Sequence, residues 1–188
     1  MHTERSVKST MSSSSVEAAR QKITSLWQVG DLFHNFSRYP ERADLPRIDR
    51  LAKILRRGLV PPSLDQDKDA RSDLNIIVTG TDTPYDSVVF LHRCASISNL
   101  YISSRPGFFT ALLDPALNVL NKDEMGKHWP VLCRDEVYVK GEIPAQRLVG
   151  LVVHPSDAKA VISEFETEIN RLSIPIYKID GVVLWPTR

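Results

Sequence analysis

An α+β fold is predicted for this chain from three observations. Helical periodicity leads the sequence and returns once near its end. Apolar or alternating runs of strand length cluster in between, and the two kinds of segment do not alternate as a regular βαβ sheet would require. With 188 residues, 42% hydrophobic and 25% charged, the chain has the length and composition of one globular domain with its own core.

The elements follow in order. Residues 1–13 are polar and Ser-rich and read as a disordered leader, leaving residues 14–188 as a single domain. Ser14-Ser15-Val16-Glu17 forms a capping box, whose Ser and Glu side chains satisfy the first free N–H groups of a helix. Val16, Ala19, Ile23 and Leu26 make one face of that helix, which ends near Gly30. A short strand is expected at 32–36. Asp44 and Pro46 then introduce a second helix with Ile48, Leu51, Ala52 and Leu55 inward, stopped by Gly58 and Pro61-Pro62. Residues 63–72 read as a loop. Strands are expected at 74–79, 87–91, 99–102, 108–113, 136–140 and 148–153, punctuated by Pro, Gly and Asp. Ser156 or Asp157 caps a third helix with Ala158, Val161, Ile162, Phe165, Ile169 and Leu172 on its buried stripe. Residues 174–179 and 182–185 close the chain as a strand pair around Asp180-Gly181.

Composition removes several function classes. A formal net charge of +1 gives no global attraction to nucleic acid or anionic membrane. Locally, residues 38–57 carry seven basic side chains (Arg38, Arg42, Arg47, Arg50, Lys53, Arg56, Arg57) against three acidic ones, which either receive phosphate or form a solvated face. Cys94 and Cys133 have no metal-like or redox spacing, so a reducing compartment is expected and no metal. No apolar run reaches the roughly 18 residues of a membrane span, and the N-terminal stretch lacks the apolar region of a secretory signal. Zinc-type His pairs, C-x-x-C, G-x-x-x-x-G-K-[ST], G-x-S-x-G and G-x-G-x-x-G are all missing, which argues against the common zinc, nucleotide and serine-hydrolase sites.

One stretch carries a chemical signal. In Arg134-Asp135-Glu136-Val137-Tyr138-Val139-Lys140-Gly141-Glu142-Ile143-Pro144 a carboxylate opens an alternating strand that ends at Gly and an Ile-Pro turn, and the apolar run Leu148–Val153 follows. A Glu in that position alone is usually an exposed strand residue. Near the other end, Leu32-Phe33-His34-Asn35-Phe36 precedes Leu51-Ala52-Lys53-Ile54-Leu55-Arg56-Arg57-Gly58-Leu59.

Together these pieces resemble the ADP-ribosyltransferase superfamily, in which an aromatic-His pair on a first strand precedes a helix ending in a Gly-Leu step, and a later strand bears a key glutamate. The C-terminal half is most similar to DNA-targeting toxins of the DarT type. The resemblance covers residues 32–188. It implies a split, two-sheet fold with N-terminal helices and transfer of ADP-ribose from NAD to a protein or nucleic acid, with nicotinamide released. It assigns the key carboxylate to Glu136 and the adenosine-side ribose to His34, with Asn35 beside it. A stacking aromatic is expected in Tyr101, with Phe90 or Phe109 in reserve, and a pyrophosphate-binding guanidinium in Arg93 or Arg105. The Ser-Thr-Ser motif of the arginine-modifying branch is missing (Ser96-Ile97-Ser98 is a loose echo), and Arg134 stands where that branch has Gln or Glu, which argues against arginine as acceptor. Partners implied are NAD, the macromolecular acceptor and an antidote or inhibitor protein, with no membrane. The location implied is cytoplasmic, or inside a host or target cell after translocation. Three other readings stay open: an inactive binding module on the same fold, an NAD glycohydrolase toxin that uses water as acceptor, and RNA 2′-phosphate transfer on the related fold, for which the basic cluster from Arg38 to Arg57 would have to converge on a phosphate.

Overall fold

The computed structural model describes residues 32–40, 47–61, 88–93, 105–120 and 136–186. The leader, the helix expected up to Gly30 and the strands expected at 74–79 and 99–102 lie outside these residues.

Two helices and nine strands are described. In chain order they are β1 (Leu32–Ser37), α1 (Arg50–Arg57), β2 (Gly58–Leu59), β3 (Val88–Arg93), β4 (Phe108–Leu113), β5 (Glu136–Lys140), β6 (Ile143–Pro144), β7 (Leu148–Val153), α2 (Pro155–Leu172), β8 (Ile176–Tyr177) and β9 (Val183–Trp185). A single 3-10 turn, Ala145–Arg147, joins β6 to β7. The α+β class is as expected.

Helix α1 begins where Asp49 Oδ1 accepts a hydrogen bond from the Ala52 N–H at 3.0 Å. Its cap is therefore Asp49, five residues beyond the expected Asp44, and Leu51, Ile54 and Leu55 form the buried stripe. Both residues are good capping types, and only Asp49 stands directly ahead of the apolar stripe. The helix stops at Gly58, whose φ of 103° is open to glycine and strained for other residues. The chain passes straight into β2, which pairs with β6 through Gly58↔Pro144 and Leu59↔Ile143.

Helix α2 is capped by His154, whose Nδ1 accepts from the Ser156 N–H at 3.2 Å, with Pro155 in the first turn. The expected caps, Ser156 and Asp157, lie inside the helix. Asp157 instead accepts a hydrogen bond from the Gly107 N–H at 2.7 Å, tying the helix start to the turn before β4.

Seven strands form one mixed sheet in the order β5-β3-β1-β4-β7-β8-β9, antiparallel except for β7 beside β8. Its ladders are unequal. β1 and β4 pair over six residues, β4 and β7 over five, and β3 and β5 over five. Between β1 and β3 only Leu32↔Arg93 and Phe33↔His92 are paired. The sheet thus consists of a main ladder, β1-β4-β7-β8-β9, and a two-stranded leaf, β3-β5, joined by a two-residue seam.

Both helices pack on one face of this sheet. Leu32, Phe36, Val89, Leu91, Phe109, Ala111, Val137, Val139, Leu151 and Val153 share a core with Leu51, Leu55, Val161, Phe165 and Ile169. The other face is buried as well, since Phe33, Thr110, Leu112, Tyr138 and Val152 are each 0% exposed. Burial on both faces is why β4 and β7 read as continuous apolar runs rather than alternating ones.

Candidate functional site

The residues singled out in the sequence gather around the seam. β1 carries His34 and Asn35, β3 carries Arg93, and β5 opens with Glu136 on the far side of β3. Past Phe33, the four remaining residues of β1 and the first four of β3 form no ladder with one another. The β1–β3 ladder is formed at the Leu32–Arg93 end and is not continued toward Ser37 and Val88.

Register sorts these positions by face. Glu136, His92, Phe33, Leu112 and Gly150 form one continuous row across β5, β3, β1, β4 and β7. His34, Ala111 and Leu151 form the next row. Consecutive rows of a pleated sheet belong to opposite faces. Glu136 and Asn35 therefore share a face, two strand spacings or roughly 10 Å apart across the sheet. His34 and Arg93 share the helix-packed face, Arg93 through its register with Leu32.

Individual side chains add detail. His34 is half-buried and stacks on Phe36, with ring centroids 6.2 Å apart. Asn35 Oδ1 accepts a hydrogen bond of 2.6 Å from the hydroxyl of Thr110, its register partner on β4. Phe109, expected in reserve as a stacking platform for nicotinamide, is 1% exposed and stacks on Phe36 at 5.7 Å. Its ring is enclosed by core and builds the floor beneath β1. Phe90, the other reserve, lies in β3 opposite Tyr138. Arg105 is exposed, with its guanidinium 4.8 Å from the centre of the Phe108 ring. Tyr101 lies outside the described residues.

Thr110 was not singled out from the sequence. Its signal was there, a lone hydroxyl in Phe-Phe-Thr-Ala-Leu-Leu, at a position where Val would pack equally well.

The basic cluster at 38–57 is largely occupied in holding the fold together. Arg38 bridges Asp49 at 2.8 Å and Glu164 at 2.6 Å, and its guanidinium lies 5.3 Å from the centre of the Phe165 ring. Burial acts to lower the Arg38 pKa, but hydrogen bonds and charge from Asp49 and Glu164 outweigh it, and the group is held above the ordinary arginine value. Arg56 meets Glu168 at 2.8 Å, and this hydrogen bond leads the causes that lower the Glu168 pKa. Arg57 meets Glu142 at 3.5 Å, and Arg47 lies 4.4 Å from the centre of the Tyr39 ring. Among the described residues, Arg38, Arg56 and Arg57 each meet a carboxylate.

No family model, curated protein or solved structure matches this chain. Among the described residues, no helix is long and apolar enough to cross a membrane.

Proposed function

We propose that this protein transfers ADP-ribose from NAD to a macromolecular acceptor, protein or nucleic acid, with Glu136 as the key carboxylate and the β1–β3 seam as the NAD site. The observation that carries the reading is the interrupted ladder. The strand bearing His34 and Asn35 and the leaf bearing Glu136 belong to one sheet, yet the ladder between them stops after two residue pairs, beside the row that holds Glu136. The resemblance implies a split sheet, and the interrupted ladder is what supports that reading here.

The chemistry asks little of the protein beyond placement and charge. The bond between the ribose C1′ and the nicotinamide nitrogen breaks, and its electron pair stays with nicotinamide, cancelling the pyridinium charge. Positive charge then develops on C1′ and the ring oxygen. An ionised carboxylate nearby stabilises that charge more than it stabilises the ground state, which lowers the barrier. An acceptor oxygen or nitrogen forms the new bond to C1′, and its proton passes to Glu136 or to solvent. Asn35, on the face it shares with Glu136, is the residue of β1 assigned to the adenosine-side ribose; His34 and Arg93 belong to rows of the opposite face and are given no part in this site.

Turnover of labelled NAD by wild type and Glu136→Gln, with cell lysate and single-stranded nucleic acid each offered as acceptor, tests the proposal. Wild type is expected to label one acceptor class, and the variant to be slower by about 100-fold or more, as when a key transition-state electrostatic contact is lost. Free ADP-ribose without a labelled acceptor would make the protein a glycohydrolase. NAD binding without turnover would make it a binding module, and no binding at all would end the NAD reading.

A further inference from the structure

We infer that His92 is a positioning residue for Glu136, supporting that carboxylate from the directly paired position on β3. The inference rests on the proposed transfer reaction and adds to it a residue that the reaction has not yet used.

His92 has two register partners, Phe33 on β1 and Glu136 on β5. β1 pairs with Arg93 and His92 of β3 and no further, so His92 stands where the ladder stops, with its backbone paired on both sides. Directly paired residues belong to one face of a sheet, with Cβ atoms about 4.5–5.5 Å apart. The row of Glu136, His92, Phe33, Leu112 and Gly150 therefore places its two ionisable residues next to each other. Phe33 and Leu112 are apolar and 0% exposed, and Tyr138, two residues along β5 on the same face, is 0% exposed as well. On a face of this kind an ionised group is costly unless it is paired.

The consequence is for the reaction. A carboxylate stabilises the charge developing on C1′ from a narrow range of positions, while a Glu side chain has several rotatable bonds. An imidazole carries an N–H donor whether neutral or protonated, so a His suits a carboxylate partner in either state. A partner on a neighbouring strand is also a firmer support than one on a loop. The other titratable residues on this face of β5, Tyr138 and Lys140, pair with Phe90 and Val88, two and four positions from His92 along β3.

The test is a double-mutant cycle on turnover of labelled NAD, with wild type, His92→Phe, Glu136→Gln and the double variant, each checked for folding by circular dichroism and melting temperature. His92→Phe keeps a ring and removes the N–H groups, and is expected to lower kcat about tenfold with little change in KM. In the Glu136→Gln background the same substitution is expected to change kcat by less than about twofold, because the carboxylate it serves is gone. A folded His92→Phe as active as wild type, or one that loses equally in both backgrounds, overturns the inference and leaves the transfer reaction standing. Wild type that turns over no NAD, or Glu136→Gln as active as wild type, overturns both. A second measurement covers the case in which His92→Phe does not fold: the His92 ring resonances are followed against pH in wild type and in Glu136→Gln. A nearby carboxylate favours the imidazolium, so its loss is expected to move the titration midpoint to lower pH. Coincident titration curves overturn the inference.

Discussion

The main ladder and the leaf are built from similar strands and held in different ways. β4 is paired along its length on both sides, with β1 over six residues and β7 over five, and it lies between two buried faces. β3 is paired over five residues with β5 but over only two with β1. The leaf has a second attachment, because β6 follows β5 closely and pairs with β2 at the end of α1. Backbone bonds hold the leaf to the body at the two β1–β3 pairs, at a bridge between Leu120 and Tyr138, and through β6 at the two β2–β6 pairs. Its apolar side chains, Val89, Leu91, Val137 and Val139, supply the rest by joining the common core. A continuous ladder would be stiffer than this attachment.

Phe109→Ala tests whether the two regions melt as one. Removing a fully enclosed ring at the centre of the main ladder is expected to cost about 3–5 kcal/mol and to lower the melting temperature in a single transition. Two separate transitions by calorimetry would show the leaf to be independent, and the comparison would break.

A smaller effect is expected from Gly58→Ala. A Cβ there would overlap the Ile143 carbonyl oxygen, and the φ of 103° strains an L-residue, so the β2–β6 pairing has to open. The expected cost is about 2–3 kcal/mol, with faster amide exchange in β5 and little change in β4. Equal loss of protection in both strands would show that this ribbon does not anchor the leaf specifically.

The smallest effect is at the opposite end of the main ladder. Burial raises the Tyr177 pKa above its ordinary value, so the native state keeps that proton longer than the unfolded chain does. Its contribution to stability is fully present below about pH 10 and is lost as pH rises through the native value. Melting temperature is therefore expected to fall less steeply above about pH 10 in Tyr177→Phe than in wild type. Identical slopes would remove Tyr177 as the cause.

Much of this fold was legible in the sequence, and the reasons differ from element to element. β4, β5 and β7 coincide with their predicted bounds because each is a dense apolar or alternating run closed by Gly, Pro or Asp. β2 and β6 were not predicted, since two residues carry no periodicity. The true caps differed for a local reason. Asp44 and Asp49 are equally good capping residues, and His154 is not a common one, although Pro155 marked the first turn. Strand pairing could not be read, because β1 lies between β3 and β4, whose partners are tens of residues away. The division of the expected site into two faces follows entirely from that register. So does the hydrogen bond between Thr110 and Asn35, which are neighbours in space and not in sequence.

The order of the core elements along the chain has a consequence for synthesis. The ribosome delivers β1 first and β4 about seventy residues later, and α2, which covers one face of both, is among the last parts to emerge. Until residue 172 has left the exit tunnel, Phe36, Phe109, Ala111 and Leu151 have no Val161, Phe165 or Ile169 to pack against. Until then the nascent chain carries this apolar surface uncovered by α2, and transiently exposed apolar surface of this kind is what favours aggregation during folding.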